Sequence, residues 1–229
     1  MLMTLPVLYS LQHCPYAMRA RLAILLAEQR VMLRPIVMKN KPAEMLAVSP
    51  KGTVPVLVLE GGTGEDDLSH NNQCIIDESL DIMLWALSRN DPEDLLYAQQ
   101  PDALPEMLKI IEENDKQFKP GLEQYKHAKR FHEGTQEQYR LACEPFIQAL
   151  EQRLTQHAFL MGATPSLLDY ALLPFVRQFS KVNRQLFLQG PYTQLQRWLT
   201  HHLQSRLYAR AMFKYPLWLD THEEFILGE

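Results

Sequence analysis

Cys14 stands in the run His13-Cys14-Pro15-Tyr16-Ala17-Met18-Arg19-Ala20-Arg21, and its neighbours decide what chemistry is open to it. The apolar run Leu5-Pro6-Val7-Leu8-Tyr9 before it reads as a strand, and Arg19 to Gln29 after it reads as a helix. Pro15 then falls at the first helical position, where its missing N–H costs nothing. A thiol at this point faces the unpaired amides and partial positive charge of a helix N-terminus, with Arg19 and Arg21 a turn or two further on. Such surroundings favour thiolate, the form that attacks disulfides and electrophiles. Position 17 is Ala, where a Cys-x-x-Cys motif carries its second thiol. A dithiol cycle within the motif is excluded, and a monothiol cycle through a mixed disulfide remains. The competing description is a small buried hydrophobe, the usual state of a free cysteine.

Three further stretches bear on a ligand. Val54-Pro55 opens a strand after Ser49-Pro50-Lys51-Gly52-Thr53. A trans edge proline is the common case, whereas a cis bond would turn the Val54 amide and carbonyl outward, able to pair with a bound peptide. Glu78-Ser79 opens a helix, where acid and hydroxyl groups cap and where the amides also bind a carboxylate. Ser166-Leu167-Leu168-Asp169, after Pro165, has the form of a capping box, a structural device. The basic run Lys126-His127-Ala128-Lys129-Arg130 reads as a solvated face or loop. No Cys or His pair has zinc-site spacing, so no metal is expected, and His201-His202 read as solvated helix residues.

The elements that position these residues divide the chain. The first half alternates strand and helix: a second strand at Val31–Val37, with Pro35 pushing it to a sheet edge, a short helix at Pro42–Ala47, a third strand at Val54–Leu59, and a Gly-rich connection at Glu60–Asp67. A short strand around Gln73–Ile76 and a helix through Leu87 complete α/β architecture of about 85 residues. Residues 89–101, with Asn90, Asp91, Pro92 and Pro101, form a linker. Beyond it strands disappear. Helices are expected at Ala103–Phe118, Gln136–Gln156 and Ser166–Ser180, with one or two more in Thr193–Met212, and Lys119-Pro120-Gly121 interrupts them. The expected domains are therefore 1–88 and 102–229, the second all helical.

The 229 residues carry a net charge of −4 with 46% apolar content, which gives no reason to expect nucleic acid or an anionic membrane as partner. No apolar run reaches the length of about 18 residues that crosses a bilayer. Met1 to Pro6 lacks the charged start of a signal peptide and reads as mature sequence. Three widely spaced cysteines, Cys14, Cys74 and Cys143, suit a reducing cytoplasm and not a disulfide framework.

Taken together, these features resemble the glutathione transferase superfamily. Tyr9-Ser10 with Cys14-Pro15-Tyr16-Ala17 and Arg19-Ala20-Arg21-Leu22 is similar to the omega-class pattern, as are Lys39-Asn40-Lys41-Pro42, Val54-Pro55-Val56-Leu57 and Asp77-Glu78-Ser79-Leu80-Asp81-Ile82. Two-domain glutaredoxins share His13-Cys14-Pro15-Tyr16 and Glu78-Ser79 but carry Cys in place of Ala17. Later, Leu160-Met161-Gly162 and Pro165-Ser166-Leu167-Leu168-Asp169-Tyr170 look like the capping motif of the family's helical domain. The resemblance implies a thioredoxin-like N-terminal domain, an all-α helical-bundle C-terminal domain and a homodimer. It implies glutathione as cosubstrate: Cys14 at its thiol, Lys41 on the glycyl carboxylate, Val54 bonded to the cysteinyl part, Pro55 cis, and Glu78 and Ser79 at the γ-glutamyl end. Tyr16, Tyr125 and Phe175 are candidate walls for a small acceptor. The implied activity is thiol transfer or reduction, of dehydroascorbate or disulfides, through a glutathionyl mixed disulfide. The alternatives are conjugation of glutathione to electrophiles, with Tyr9 or Ser10 steadying the thiolate, and a non-catalytic binding or regulatory protein.

Overall fold

A computed structural model of the chain describes residues 5–59 and 74–228. Strand β1 (Val7–Ser10) leads into α1 (Pro15–Leu26) and returns as β2 (Val31–Pro35), parallel to β1 with Val7 opposite Met32. Helix α2 (Ala43–Val48) crosses to β3 (Val56–Leu59), which runs antiparallel to β1 with Leu8 opposite Leu57. Strand β4 (Cys74–Ile76) pairs with β3, and α3 (Ser79–Arg89) follows it and packs on α1. The expected connection at Glu60–Asp67 lies outside the described residues.

Alternation along the strands builds two apolar faces. Tyr9, Val56 and Val58 point to one side and pack with Ile36, Val54 and Met45 of α2. Leu8, Leu33 and Leu57, neighbours across the ladders, point to the other. Helix α1 is buried from Ala17 through Leu26, charged Arg19 and Arg21 included.

After turns at 90–102 come α4 (Ala103–Glu113), a π-helical turn (Asn114–Phe118), α5 (Lys119–Arg130), α6 (Gln136–Gln156), α7 (Leu167–Val182), α8 (Arg184–Gln189) and α9 (Thr193–Leu203). Their core is aromatic: Phe118 stacks on Phe146 at 4.7 Å, and Phe179 lies 6.0 Å from Phe118 and 5.9 Å from Tyr125. The last elements are α10 (Arg206–Ala211), α11 (Trp218–Thr221) and β5 (Phe225–Leu227).

Some expectations are corrected by the structure. Lys119-Pro120-Gly121 does not interrupt the helix. The Lys119 amide instead donates to Asn114 O, five residues back. That wider turn comes just before Pro120, whose ring would collide with the carbonyl four residues back in a regular α-helix. The basic run is the solvated face of that helix, as expected: in α5 Tyr125 and Ala128 are buried, His127 and Arg130 are exposed, and Lys126 pairs with Glu123 at 3.0 Å.

The helical unit is followed by one strand, β5, which joins the sheet of the first unit. The sheet order is β4-β3-β1-β2-β5, so β2 is not an edge strand. Phe225, Ile226 and Leu227 pair with Leu33, Met32 and Val31 and cover donors and acceptors that a bare edge would expose. Pro35 is compatible with this place because β5 stops short of it and its own partner is Ser10 of β1. The chain accordingly forms two compact units, one of residues up to Glu93 together with those from Arg206 on, the other Asp94–Ser205. The expected boundaries at 88 and 102 did not include this return of the C-terminal segment.

Finally, His202 is not solvated. It is 2% exposed, ringed by Trp198 at 4.9 Å, Tyr170 at 5.3 Å and Phe159 at 5.9 Å, and its Nε2 has no hydrogen-bond partner. Burial, helped by neighbouring His201, lowers its pKa from 6.5 to about 4. Between those values the unfolded imidazole takes a proton that the folded one refuses, so stability falls as pH falls through that window. The loss approaches about 3 kcal/mol at its acid end. Denaturant unfolding of His202→Phe from pH 7 to pH 4 should therefore show a flatter pH dependence than the parent chain. Equal slopes would remove this role.

Candidate active site

Cys14 is the N-cap residue of α1, extended at φ −69°, with Pro15 in the first turn as expected. Its amide donates to Leu11 O at 3.2 Å and its carbonyl accepts from Met18 N at 2.9 Å, so the turn and the helix both hold its backbone. The thiol does not cap the helix. It is half-buried, and its Sγ lies 3.7 Å from the carbonyl oxygen of Val54. The Val54-Pro55 bond is cis.

The loop before β3 connects the other expected residues. Gly52 takes φ +63°, which glycine adopts at no steric cost, and a Cβ there would come 3.0 Å from Lys41 Nζ. Lys41 thus reaches over this loop. Lys51 beside it pairs with the Glu78 carboxylate and approaches Asp77 at 3.6 Å, and Ser49 Oγ donates to Asp77 at 3.3 Å. Glu78 stands at the N-cap of α3, but its side chain does not cap the helix and engages Lys51 instead. Ser79 opens α3 and is buried. One loop therefore touches Lys41, Glu78 and, through Val54, Cys14.

The remaining candidates fall elsewhere. Tyr9 is 2% exposed and its hydroxyl accepts from Arg34 Nη1 at 2.9 Å, while burial pushes its pKa up. Ser10 is equally buried, with its Oγ accepting from Arg21. Both hydroxyls are engaged by arginines. Tyr16 is half-buried on α1, with the Arg19 guanidinium 5.6 Å from its ring centre. Tyr125 and Phe175, expected as acceptor walls, are 2% and 0% exposed. Phe175 is packed in the core of the helical unit, and Tyr125 lines a small pocket there with Phe179, Phe187 and Tyr192.

The three thiols differ sharply. Cys74 is exposed on β4, whereas Cys143 is buried in α6, and burial, with Glu144 beside it, pushes its pKa up to about 11. Such a thiol is inert at neutral pH. Among the described residues no group of acidic, His and Cys side chains could hold a metal ion, and no helix is long and apolar enough to cross a membrane.

Sequence reasoning missed Lys51 as the partner of Glu78. The only signal was a cation flanking the glycine of a Pro-Lys-Gly-Thr loop. It also missed what Arg21 does. The Arg21 guanidinium, 4% exposed, donates to Leu11 O at 3.2 Å and Gln12 O at 2.6 Å, fixing the loop that delivers Cys14. Burial lowers its pKa to about 10, opposed by the nearby Cys14 and Tyr208, so it stays charged at neutral pH.

A thioredoxin-like sheet with its helices, a cysteine at the first helix N-terminus, a cis Val-Pro before the third strand and a following helical unit define a two-domain thioredoxin-fold class. Within it, this chain belongs to the glutathione S-transferase family. The family's N-terminal domain matches residues 8–94 and its C-terminal domain residues 133–201. A curated relative is glutathione S-transferase omega-1 of Mus musculus, 25% identical over 210 residues, 91% of this chain and 77% of the relative. A glutathione transferase family member from Pseudomonas fluorescens, solved with two glutathione bound, superposes with a TM-score of 0.76 at 18% identity over 92% of this chain and 93% of that one. Glutathione transferase Omega 3C from Trametes versicolor superposes at 0.72 with 19% identity over 93% and 91% of the two chains.

Proposed function

We propose that the chain is a glutathione-dependent thiol transferase or reductase in which Cys14 is a monothiol nucleophile. The observation that carries this reading is the half-buried Cys14 thiol at a helix N-terminus, 3.7 Å from the Val54 carbonyl, with Ala17 in the second-thiol position. The engagement of Tyr9 and Ser10 with arginines favours it over a hydroxyl-assisted conjugation. The omega-class relative and the neighbour with bound glutathione support glutathione as the cosubstrate.

The Cys14 thiolate attacks the glutathione sulfur of a mixed disulfide between glutathione and an acceptor thiol. A Cys14–glutathione disulfide forms, and the acceptor leaves as thiolate and takes a proton. The thiolate of a second glutathione attacks that disulfide, giving oxidised glutathione and restoring Cys14 thiolate. Lys41 pairs with the glycyl carboxylate, and Val54 bonds the cysteinyl backbone. At the γ-glutamyl end the Ser79 amide, at the start of α3, takes the carboxylate, and Glu78 takes the ammonium group. Dehydroascorbate and low-molecular-weight disulfides are the favoured oxidants, and a cytoplasmic homodimer completes the reading.

Intact mass after incubation with oxidised glutathione tests it. One glutathione adduct is expected on Cys14, and none on Cys74 or Cys143. An unmodified Cys14, or the same adduct mass in Cys14→Ala, would falsify the assignment.

A further inference from the structure

One end of the helical unit gathers positive charge. Lys126 Nζ of α5 donates to Gln178 Oε1 of α7 at 3.4 Å, so the two helices face each other there. Each helix ends four residues further on, α5 at Arg130 and α7 at Val182, or about 6 Å along its axis. Helix α8 begins directly afterwards at Arg184. Lys129, Arg130, Lys181 and Arg184 are thus brought to one end of the unit. None of the four has an ion-pair partner among the described residues, whereas Glu123 and Glu133 are taken by Lys126 and His127. Cations in the last turn complement a helix dipole, which accounts for Lys129, Arg130 and Lys181. Arg184 has no such reason. It lies in the first turn of α8, the end where a cation is disfavoured, and no acid accompanies it there. Burial, and then nearby Arg177 and Arg184, lower the Lys181 pKa, so these cations stand close enough to repel.

Apolar side chains are exposed among them. Of seven large apolar residues exposed among the described ones, Phe131, Leu141, Leu186 and Leu188 belong to these elements. Phe131 is 57% exposed, with the Arg130 guanidinium 5.5 Å and the His127 ring 4.4 Å from its ring centre. Arg140 of α6, Asn183 and Leu186 line one shallow pocket, which joins the start of α6 to the end of α7 and to α8.

We propose that this end of the helical unit docks an acidic segment of a partner protein, with apolar side chains set among its carboxylates. The net charge of −4 for the whole chain hides the local excess that such a segment would neutralise. Exposed apolar groups beside arginine are the material of protein contacts. A membrane surface fits less well, because it takes an apolar helix face pushed about 5–10 Å into the bilayer. Here the rings of Phe118, Tyr125 and Phe179 are turned into the core, and the exposed Glu133 and Glu137 would meet anionic headgroups. Carboxylates spaced along a peptide can pass between those two acids.

Anisotropy of a dye-labelled peptide of about 12 residues, glutamates with phenylalanines interspersed, titrated with the full chain tests this. The peptide should bind, and at least about fivefold more weakly when sodium chloride rises from about 50 to about 500 mM. Lys181→Glu combined with Arg184→Glu should weaken binding by about tenfold or more. Phe131→Ser should weaken it by about fivefold. Circular dichroism and glutathione adduct formation on Cys14 should be unchanged in both variants. Failure of the peptide to bind, or indifference to either variant, would overturn the proposal. Cosedimentation with vesicles of equal parts phosphatidylserine and phosphatidylcholine, lost on the same charge reversal, would overturn it in favour of a membrane.

Discussion

Cys14→Ser is expected to lose at least about a hundredfold in glutathione-dependent disulfide reduction while melting at nearly the same temperature as the parent chain. A hydroxyl is almost fully protonated at neutral pH and forms no disulfide, so neither half of the exchange can proceed. Little else changes. Serine is smaller by a fraction of an ångström in bond length, can still donate to the Val54 carbonyl, and is itself a favoured N-cap residue. Catalysis and folding are thus separated in one variant. The measurement is steady-state turnover of a small glutathionyl mixed disulfide beside a thermal melt. Retained or raised turnover would move the chemistry away from Cys14 and towards conjugation. A lowered melting temperature would mean that the thiol also has a packing role.

Asp169→Ala is expected to destabilise the helical unit by about 3–5 kcal/mol, a large share of the 5–15 kcal/mol typical of a whole domain. The reason is the number of donors that converge on one wholly buried carboxylate. Leu160 N lies at 3.0 Å, Ser166 N at 2.9 Å, Ser166 Oγ at 2.7 Å and Trp198 Nε1 at 2.7 Å. Burial pushes the carboxyl pKa up and these donors pull it down. Truncation strands all of them in a place water does not reach, and each stranded donor costs about 1–3 kcal/mol before the site relaxes. Ser166→Ala removes only the cap hydroxyl and should cost about 1 kcal/mol. Urea unfolding followed by circular dichroism measures both. Similar losses for the two variants would show that the capping box alone, without the Trp198 and Leu160 bonds, accounts for the stabilisation.

The second prediction marks where sequence reading stops. Ser166-Leu167-Leu168-Asp169 announces a capping box because its two partners are three residues apart. Nothing near it in sequence announces that the same carboxylate also takes the indole of Trp198 on another helix. The same division holds at the candidate site. Pro15, Ala17 and the strand-to-helix turn at Cys14 are local, as is Gly52 in its left-handed conformation. The pairing of Lys51 with Glu78 joins a loop to a helix start, and no periodicity reports it.

By itself the sequence determined the βαβ beginning, the place of Cys14 at a helix N-terminus, the single thiol of the motif and the helical second half. Each follows from interactions within a few residues: apolar alternation, a proline at a first turn, a cap three residues from its partner. Only the tertiary structure decided that Phe225–Leu227 covers β2, that the helix passes through Pro120, and that His202 is buried. It also decided that Arg21 ties the Cys14 loop to the C-terminal segment. These depend on what the rest of the chain brings alongside. A free sheet edge needs a partner, a buried cation needs carbonyls, and a three-residue apolar run becomes a strand only where such an edge awaits it.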